Sequence, residues 1–115
     1  MGKFYYGQSP KDSKWYFRLK DNNNETILAS TEGYNTKQGC LNGIDSVKRH
    51  SPYEQYYKSF IGNDRKYYFT LYASNGEAIG KSEGYNTSFG RDQGKENCKK
   101  EAPTATLHEL TGAYV

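Results

Sequence analysis

The side chains that most often perform catalysis are sparse in this 115-residue chain. It has two histidines, His50 and His108, and two cysteines, Cys40 and Cys98. A nucleophilic cysteine needs a positioned base and an oxyanion hole, and no stretch of the sequence indicates either. The Cys-X-X-Cys and His-Glu-X-X-His spacings that are typical of zinc sites do not occur. We therefore expect no enzymatic activity, no metal and no cofactor.

Both histidines have ordinary explanations. His50 lies at the end of a predicted helix, where a positive charge interacts favourably with the helix dipole. His108 lies in a predicted terminal strand. We expect these side chains to be solvated or, for His50, paired with the helix dipole.

Two segments of alternating residues point to binding rather than catalysis. In residues 15–20 and 67–72, large apolar side chains at every second position alternate with Tyr, Thr, Arg or Lys. This alternation is typical of a half-buried strand. Rings placed between cations can stack bases and attract the phosphates of a single-stranded nucleic acid. The candidate binding face consists of Tyr16, Arg18, Lys20, Tyr68, Thr70 and Tyr72.

The same face is compatible with a solvated surface, because tyrosine is favoured in strands whatever its role. The net charge is only +3, so the attraction for a polyanion is modest. We expect a non-enzymatic interaction module that binds a protein or peptide partner, and as the alternative a weak single-stranded nucleic-acid binder. No apolar run could span a membrane, and MGKFYYGQ lacks the apolar run of a signal peptide, so we expect a cytoplasmic protein.

The chain contains an internal repeat. Residues 14–27 match residues 66–79, and residues 32–52 match residues 83–103. A repeat of roughly 50 residues indicates one supersecondary unit per copy, with the copies sharing a core. We expect one pseudo-symmetric domain over residues 1–115, with repeat 1 at about 1–54 and repeat 2 at about 55–115.

Each copy has the same predicted order of elements, three strands and then a helix. The predicted strands are 4–8, 15–20 and 26–29 in the first copy and 56–61, 67–71 and 78–81 in the second. The helices should start near Asn35 or Thr36 and near Asn86 or Thr87, whose side chains can accept the free amide hydrogens of a first turn. Basic residues followed by proline mark both helix ends.

Both predicted helices keep glycines four residues apart, Gly39 with Gly43 and Gly90 with Gly94. Each glycine costs a helix about 1 kcal/mol relative to alanine. We expect a small-residue face that lets each helix approach the sheet closely.

The segment Gly-Tyr-Asn-Thr occurs at 33–36 and again at 84–87. A tight strand-to-helix turn explains it, with the glycine supplying a flexible backbone and the tyrosine packing beneath. The alternative is a ligand pocket at each turn.

The two cysteines are expected to be reduced thiols that are not bonded to each other. They do not occupy equivalent positions in the repeat, because Cys40 aligns with Arg91 and Cys98 aligns with Val47. Cys98 should be buried as a small apolar residue.

Five short blocks stand out in the doubled pattern, and these are KWYFRLK, KYYFTLY, SNGEAIG, SEGYNT and NGIDSVK. With these blocks the chain resembles the YegP-like family of small bacterial proteins, a tandem repeat of a domain of unknown function. The resemblance implies an α+β fold of two tandem β-β-β-α-β repeats, which form one antiparallel-rich sheet with exchanged C-terminal strands and two helices packed on one face. The last strands would be Tyr53 to Gln55 and Thr104 to Leu110. Lys95 departs from the family, which has isoleucine there, and no established activity comes with the resemblance.

Overall fold

A computed structural model describes residues 2–111. Within this range the chain forms two helices, α1 (Lys37–His50) and α2 (Ser88–Glu101). It also forms seven strands, which are β1 (Lys3–Gln8), β2 (Trp15–Lys20), β3 (Thr26–Ala29), β4 (Tyr57–Ile61), β5 (Tyr67–Tyr72), β6 (Ala78–Lys81) and β7 (Thr106–Glu109). Short 3-10 turns follow the helices at Glu54–Tyr56 and Ala102–Thr104. The predicted α+β class and the predicted element order are confirmed.

All seven strands lie in one sheet, in the order β4-β5-β6-β3-β2-β1-β7. Each repeat contributes an antiparallel three-stranded meander, and the two meanders join where β3 pairs with β6. The last strand of the second repeat, β7, crosses to pair in parallel with β1 of the first. The sheet is therefore mixed, and the crossing C-terminal strand ties the end of the chain to its beginning.

The strand expected at Tyr53 to Gln55 is wrong. The amides of Tyr53 and Tyr56 are bonded to carbonyls three residues earlier, those of His50 and Tyr53. These local bonds make a 3-10 turn instead of a strand. The strand that follows α1 is β4, which also opens the second meander, so the sheet has seven strands where two complete β-β-β-α-β repeats would need eight.

The helix starts are confirmed at the capping threonines. The hydroxyl of Thr36 accepts a hydrogen bond from the amide of Gly39 at 2.9 Å, and Thr87 accepts one from Gly90 at 2.9 Å. Both threonines have extended backbones, which is the usual conformation at a helix N-cap. Each helix ends with lysines in its last turn.

One apolar cluster fills the space between the helices and the sheet, and both repeats contribute to it. Its fully buried members include Phe4, Phe17, Leu19, Leu28, Ile44, Val47, Phe69 and Leu71. On β2 these members alternate with less buried residues, as the sequence predicted, whereas on β5 Thr70 is buried as well as Phe69 and Leu71. Cys40 and Cys98 are free thiols and fully buried, which confirms both expectations about the cysteines.

The small-residue face of each helix packs against a tyrosine ring rather than directly against a strand. A Cβ built on Gly43 would lie 2.3 Å from the hydroxyl oxygen of Tyr34, and one built on Gly94 would lie 2.2 Å from that of Tyr85. Glycine is therefore required at these positions, because the tyrosine of each Gly-Tyr-Asn-Thr segment lies against the helix.

Helix α2 replaces apolar residues of α1 with long cations. Lys95 stands where α1 has Ile44, and its ammonium pairs with the Glu54 carboxylate at 2.9 Å. The Lys95 side chain is only 14% exposed, so its hydrocarbon stem covers the core while the charge reaches the 3-10 turn. Lys99 pairs with the same carboxylate, which lowers the pKa of Glu54. These ion pairs explain how α2 packs without the isoleucine.

The expectation that His50 is solvated is wrong, whereas the alternative, a pairing with the helix dipole, stays a prediction. Its side chain is buried, and Nδ1 lies 2.7 Å from the carbonyl oxygen of Ser46. Nε2 accepts a hydrogen bond from the amide of Ser74 at 3.1 Å. The ring also packs edge-on against Tyr56. His50 therefore connects α1 to the β5–β6 turn of the other repeat.

Candidate functional site

The surface of interest is the face of the sheet that points away from the helices, called the open face below. On β2, Phe17 and Leu19 enter the core, so Tyr16, Arg18 and Lys20 lie on the opposite side. On β5 the same alternation places Tyr68, Thr70 and Tyr72 there. Every residue of the predicted binding face thus lies on the open face.

The predicted residues form two groups rather than one cluster. Strands β2 and β5 run antiparallel to each other and are separated by β3 and β6, so the two strands are about 14 Å apart at an interstrand spacing of about 4.8 Å. Tyr16 and Tyr68 lie toward opposite ends of these strands and are farther apart still. Thr70 is only 7% exposed, because it lies between its register partners Lys58 and Lys81. Thr70 shapes the surface but offers little contact area to a ligand.

Six further residues of the open face were missed by the sequence analysis, and the register between strands brings them there. Tyr5 pairs with Arg18 and with His108, and Phe60 pairs with Tyr68. The alternation within β1 and β4 is the signal that would have found four of them. The six residues are Lys3, Tyr5, Lys58, Phe60, Lys81 and His108.

The charged side chains at the strand positions of the open face are all cations, and the carboxylates near this face, Asp12 and Asp64, lie in the loops between strands. No strand residue on this face in the described part of the chain carries a carboxylate. The acidic residue of β7, Glu109, pairs instead with Lys37 of α1 at 2.6 Å. The five cations on the face are Lys3, Arg18, Lys20, Lys58 and Lys81. The open face therefore attracts anions far more strongly than the net charge of +3 indicates.

Several of these cations lie over aromatic rings. The Lys20 ammonium is 5.8 Å from the ring centre of Tyr5, and that of Lys58 is 5.2 Å from the ring centre of Tyr72. Such contacts hold the cation close to the ring through the ring quadrupole. The result is an interleaved surface of rings and positive charges.

Two tyrosines of the face are oriented by aspartates. The hydroxyl of Tyr16 donates to the carboxylate of Asp12 at 2.5 Å, and that of Tyr68 donates to Asp64. The same carboxylates accept the amides of Lys14 and Lys66. These bonds lower the pKa of Asp12 and Asp64 and raise the pKa of Tyr16 and Tyr68. Both rings are thereby held in place on the open face.

The repeated glycines of the Gly-Tyr-Asn-Thr segments serve these rings. A Cβ on Gly33 would lie 2.7 Å from the hydroxyl oxygen of Tyr16, and one on Gly84 would lie 2.9 Å from that of Tyr68. Neither glycine has a positive φ, so the flexible backbone expected from the sequence is not the reason for them. Glycine is needed because a tyrosine from the adjacent strand covers it.

The second half of the open face contains a groove of about 470 Å³, lined by Phe60, Ile61, Gly62, Asn63, Asp64, Tyr68 and Lys81. The rings of Phe60 and Tyr68 are nearly parallel, at an angle of 10°, with their centres 5.3 Å apart. The ammonium of Lys81 lies 5.0 Å from the Tyr68 ring centre and 5.6 Å from that of Phe60. The groove thus combines two stacked rings with one cation.

Among residues 2–111, no group of three or more His, Cys, Asp or Glu side chains is arranged to hold a metal ion. No helix in the same range has the length and apolar character needed to cross a membrane.

The duplicated meander, the two helices on one face and the bare opposite face define a class of small α+β proteins built from two tandem repeats. The chain belongs to the family described as "Domain of unknown function (DUF1508)", which matches residues 11–57 and again residues 63–109. The resemblance to YegP-like proteins that the motifs indicated is confirmed.

Curated relatives extend over most of the chain. It is 42% identical over 100 residues to the UPF0339 protein in the ptx operon 5'region of Stutzerimonas stutzeri, which covers 87% of this chain and 89% of that one. It is 37% identical to the UPF0339 protein YegP of Escherichia coli K12, covering 96% of this chain and all of that one. The solution structure of yegP from E. coli, a protein of unknown function, has a TM-score of 0.89, covering 98% of this chain and 96% of that chain at 36% identity. Because these relatives are proteins of unknown function, the comparisons establish the fold and the family of this chain and assign no activity to it.

Proposed function

We propose that this protein is a non-enzymatic binding module whose open face takes a single-stranded nucleic acid. The observation that carries the proposal is the charge on that face, five cations without a carboxylate among the strand positions. A polyanion complements such a surface, and its unpaired bases can stack on the exposed tyrosine and phenylalanine rings. The cytoplasmic location expected from the sequence belongs to the same proposal.

The sequence analysis favoured a protein or peptide partner over a nucleic acid. The charge distribution supports the opposite order, because strand positions that carry five cations and no carboxylate suit phosphates better than a mixed peptide surface. A peptide would more naturally add to the outer edge of β4, where Ile61 is 62% exposed. A peptide partner is therefore kept as an outcome of the test.

The proposal is tested by titrating the protein into labelled single-stranded RNA and DNA while following fluorescence anisotropy. Each phosphate contact contributes about 0.7 to the slope of log K against log salt. With five contacts, affinity should fall roughly a hundredfold between about 50 mM and about 200 mM salt. Failure to bind at low salt would remove the proposal. Capture from a lysate that survives nuclease and salt would instead favour a peptide partner.

Two variants separate stacking from general attraction. The double substitution Tyr16→Ala with Tyr68→Ala should weaken binding at least about tenfold, since each stacked base contributes about 1 to 3 kcal/mol. Arg18→Ala should mainly reduce the salt slope. The matched control is Lys100→Ala, which removes an exposed charge from α2, on the other side of the sheet. If the control and Arg18→Ala have equal effects, the open face is not the binding surface.

A further inference from the structure

The two repeats place different side chains at equivalent positions of the open face. Tyr16 and Tyr68 are equivalent, and each is held by an aspartate. Across from Tyr16 on the neighbouring strand lies Gly7, whereas across from Tyr68 lies Phe60. On the other neighbouring strand, Ala29 lies across from Arg18 in the first repeat, and Lys81 lies across from the equivalent Thr70 in the second. In the second repeat, a ring, Phe60, and a cation, Lys81, both lie beside the tyrosine.

The groove beside Tyr68 has the size and chemistry of a small-molecule site. Its volume of about 470 Å³ lies within the usual range of roughly 300 to 1,000 Å³ for such sites. The Phe60 and Tyr68 rings provide an apolar surface, and Lys81 provides a positive charge. Within residues 2–111 the Asn63 amide at the groove wall makes no hydrogen bond, so its donor and acceptor are both available.

The charged residues of the groove favour one orientation of a bound nucleotide. Asp64 lines the groove beside the hydroxyl of Tyr68, where its carboxylate accepts hydrogen bonds from that hydroxyl and from the amide of Lys66. The Glu83 carboxylate also acts on Tyr68. Lys81 is the one cation among the residues that line the groove. A phosphate would be repelled by the Asp64 carboxylate and attracted to Lys81. A bound nucleotide would thus have its phosphate at Lys81 and its base over the rings.

We propose that this groove is a nucleotide subsite, in which one unpaired base of the single strand stacks on the Phe60–Tyr68 pair. The adjacent phosphate contacts Lys81, and the amide of Asn63 bonds the edge of the base. Asparagine can donate and accept at once, which suits a base edge. The inference rests on the proposed function and goes beyond it, because it makes the two halves of the open face unequal. The first half then supplies phosphate contacts through Arg18 and Lys20.

The test compares equivalent residues of the two repeats in the full-length chain. The probe is a labelled single-stranded RNA of about 8 nucleotides, within the range that small sheet modules cover. Phe60→Leu keeps an apolar side chain on the edge strand but removes the ring, and it should weaken binding by at least about fivefold. Tyr16→Ala should weaken binding by less than Tyr68→Ala. Circular dichroism of each variant checks that the fold is intact.

The remaining variants test the proposed contacts of the phosphate with Lys81 and of the base with Asn63. Lys81→Gln should reduce the salt slope by about 0.7, while Asn63→Ala should change the order of affinity for poly(A), poly(C) and poly(U) at an unchanged slope. If wild type binds and Phe60→Leu binds equally well, the subsite is refuted although the proposed function stands. If wild type does not bind, both fail. If free nucleoside monophosphates compete with the RNA and bind as tightly as the RNA does, the groove is a site for free nucleotides. That result would refute the proposal that its ligand is a single strand.

Discussion

The amide of Ser74, in the turn between β5 and β6, donates a hydrogen bond to Nε2 of His50 at the end of α1. This bond joins a helix of the first repeat to a turn of the second. Because Nε2 accepts, Nδ1 carries the proton and donates it to the carbonyl oxygen of Ser46 at 2.7 Å. A buried histidine thus connects the two halves of the fold.

Replacing His50 should therefore destabilise the protein. His50→Ala removes two hydrogen bonds and leaves the Ser74 amide without its partner, at a cost of about 2 kcal/mol. His108→Ala is the matched control, because His108 is exposed on β7, and its effect should stay within about 0.5 kcal/mol. Urea unfolding followed by circular dichroism measures both. Equal losses in the two variants would contradict the structural role of His50.

Residues 1–54 alone should not form a folded monomer. In the whole chain α1 also binds the second repeat, where the Lys48 ammonium bonds the carbonyl oxygen of Ala105 at 2.7 Å. The apolar cluster also draws on both repeats, so a single copy would expose core residues. The measurement is an amide NMR spectrum of the fragment. A dispersed monomeric spectrum would refute the prediction, whereas a symmetric dimer would agree with strand exchange between identical units.

Alanine at Gly43 should destabilise the protein, although alanine is the better helix former by about 1 kcal/mol. The added Cβ would lie 2.3 Å from the hydroxyl oxygen of Tyr34, and overpacking of this kind costs about 1 to 3 kcal/mol. The double substitution Gly43→Ala with Tyr34→Ala should lose less than the sum of the single changes. Thermal unfolding measures each variant. Additive losses would mean that the tyrosine ring is not the reason for the glycine.

The hydrogen bond between Tyr68 and Asp64 should make the stability of the folded protein depend on pH in the acidic range. It is the largest cause that lowers the pKa of Asp64 in the folded protein below its ordinary value of 3.8. A lowered folded-state pKa stabilises the protein above the ordinary pKa, and this stabilisation is lost as the pH falls through the folded-state pKa. Tyr68→Phe should therefore be less stable than wild type near neutral pH, and the difference should shrink below about pH 4.

The matched control for this prediction is Tyr72→Phe, which removes a hydroxyl from the same face of the same strand. Its stability difference from wild type should be constant with pH. Urea midpoints measured between neutral pH and about pH 3 decide the matter. A difference for Tyr68→Phe that persists unchanged into acid would show that the carboxylate is not involved.

Both thiols should be unreactive in the native protein. Burial raises the pKa of Cys40 and of Cys98 to about 12, so little thiolate exists near neutral pH. Titration with a thiol reagent should give two free thiols after denaturation and almost none before. Rapid reaction of either native thiol would contradict the buried positions, and no thiol after denaturation would indicate a disulfide.

Local features of the sequence were enough to locate most elements. The strands β3 and β6 begin and end where the sequence predicted, and both helices start after the predicted threonines. These features depend on residues close along the chain. A threonine side chain caps an amide three residues away, and strand alternation is complete within six residues.

The internal repeat likewise indicated the doubled architecture, and the motifs indicated the family. Neither could reveal that Tyr53 to Gln55 forms no strand, so that among residues 2–111 no strand pairs with the outer side of β4 as β7 pairs with β1. The burial of His50 was equally hidden, since its partner Ser74 lies 24 residues away.

The tertiary structure alone decided what the open face contains. The alternation in β2 and β5 predicted Tyr16 and Tyr68 for one face, but the strand order separates β2 from β5 by about 14 Å, and the register places the two tyrosines toward opposite ends of these strands. The groove brings together Phe60, Tyr68 and Lys81 from three strands. Its formation depends on which strands are neighbours and on their register, and both follow from burying one shared apolar core. That burial is a property of the whole chain, so no local pattern in the sequence contains it.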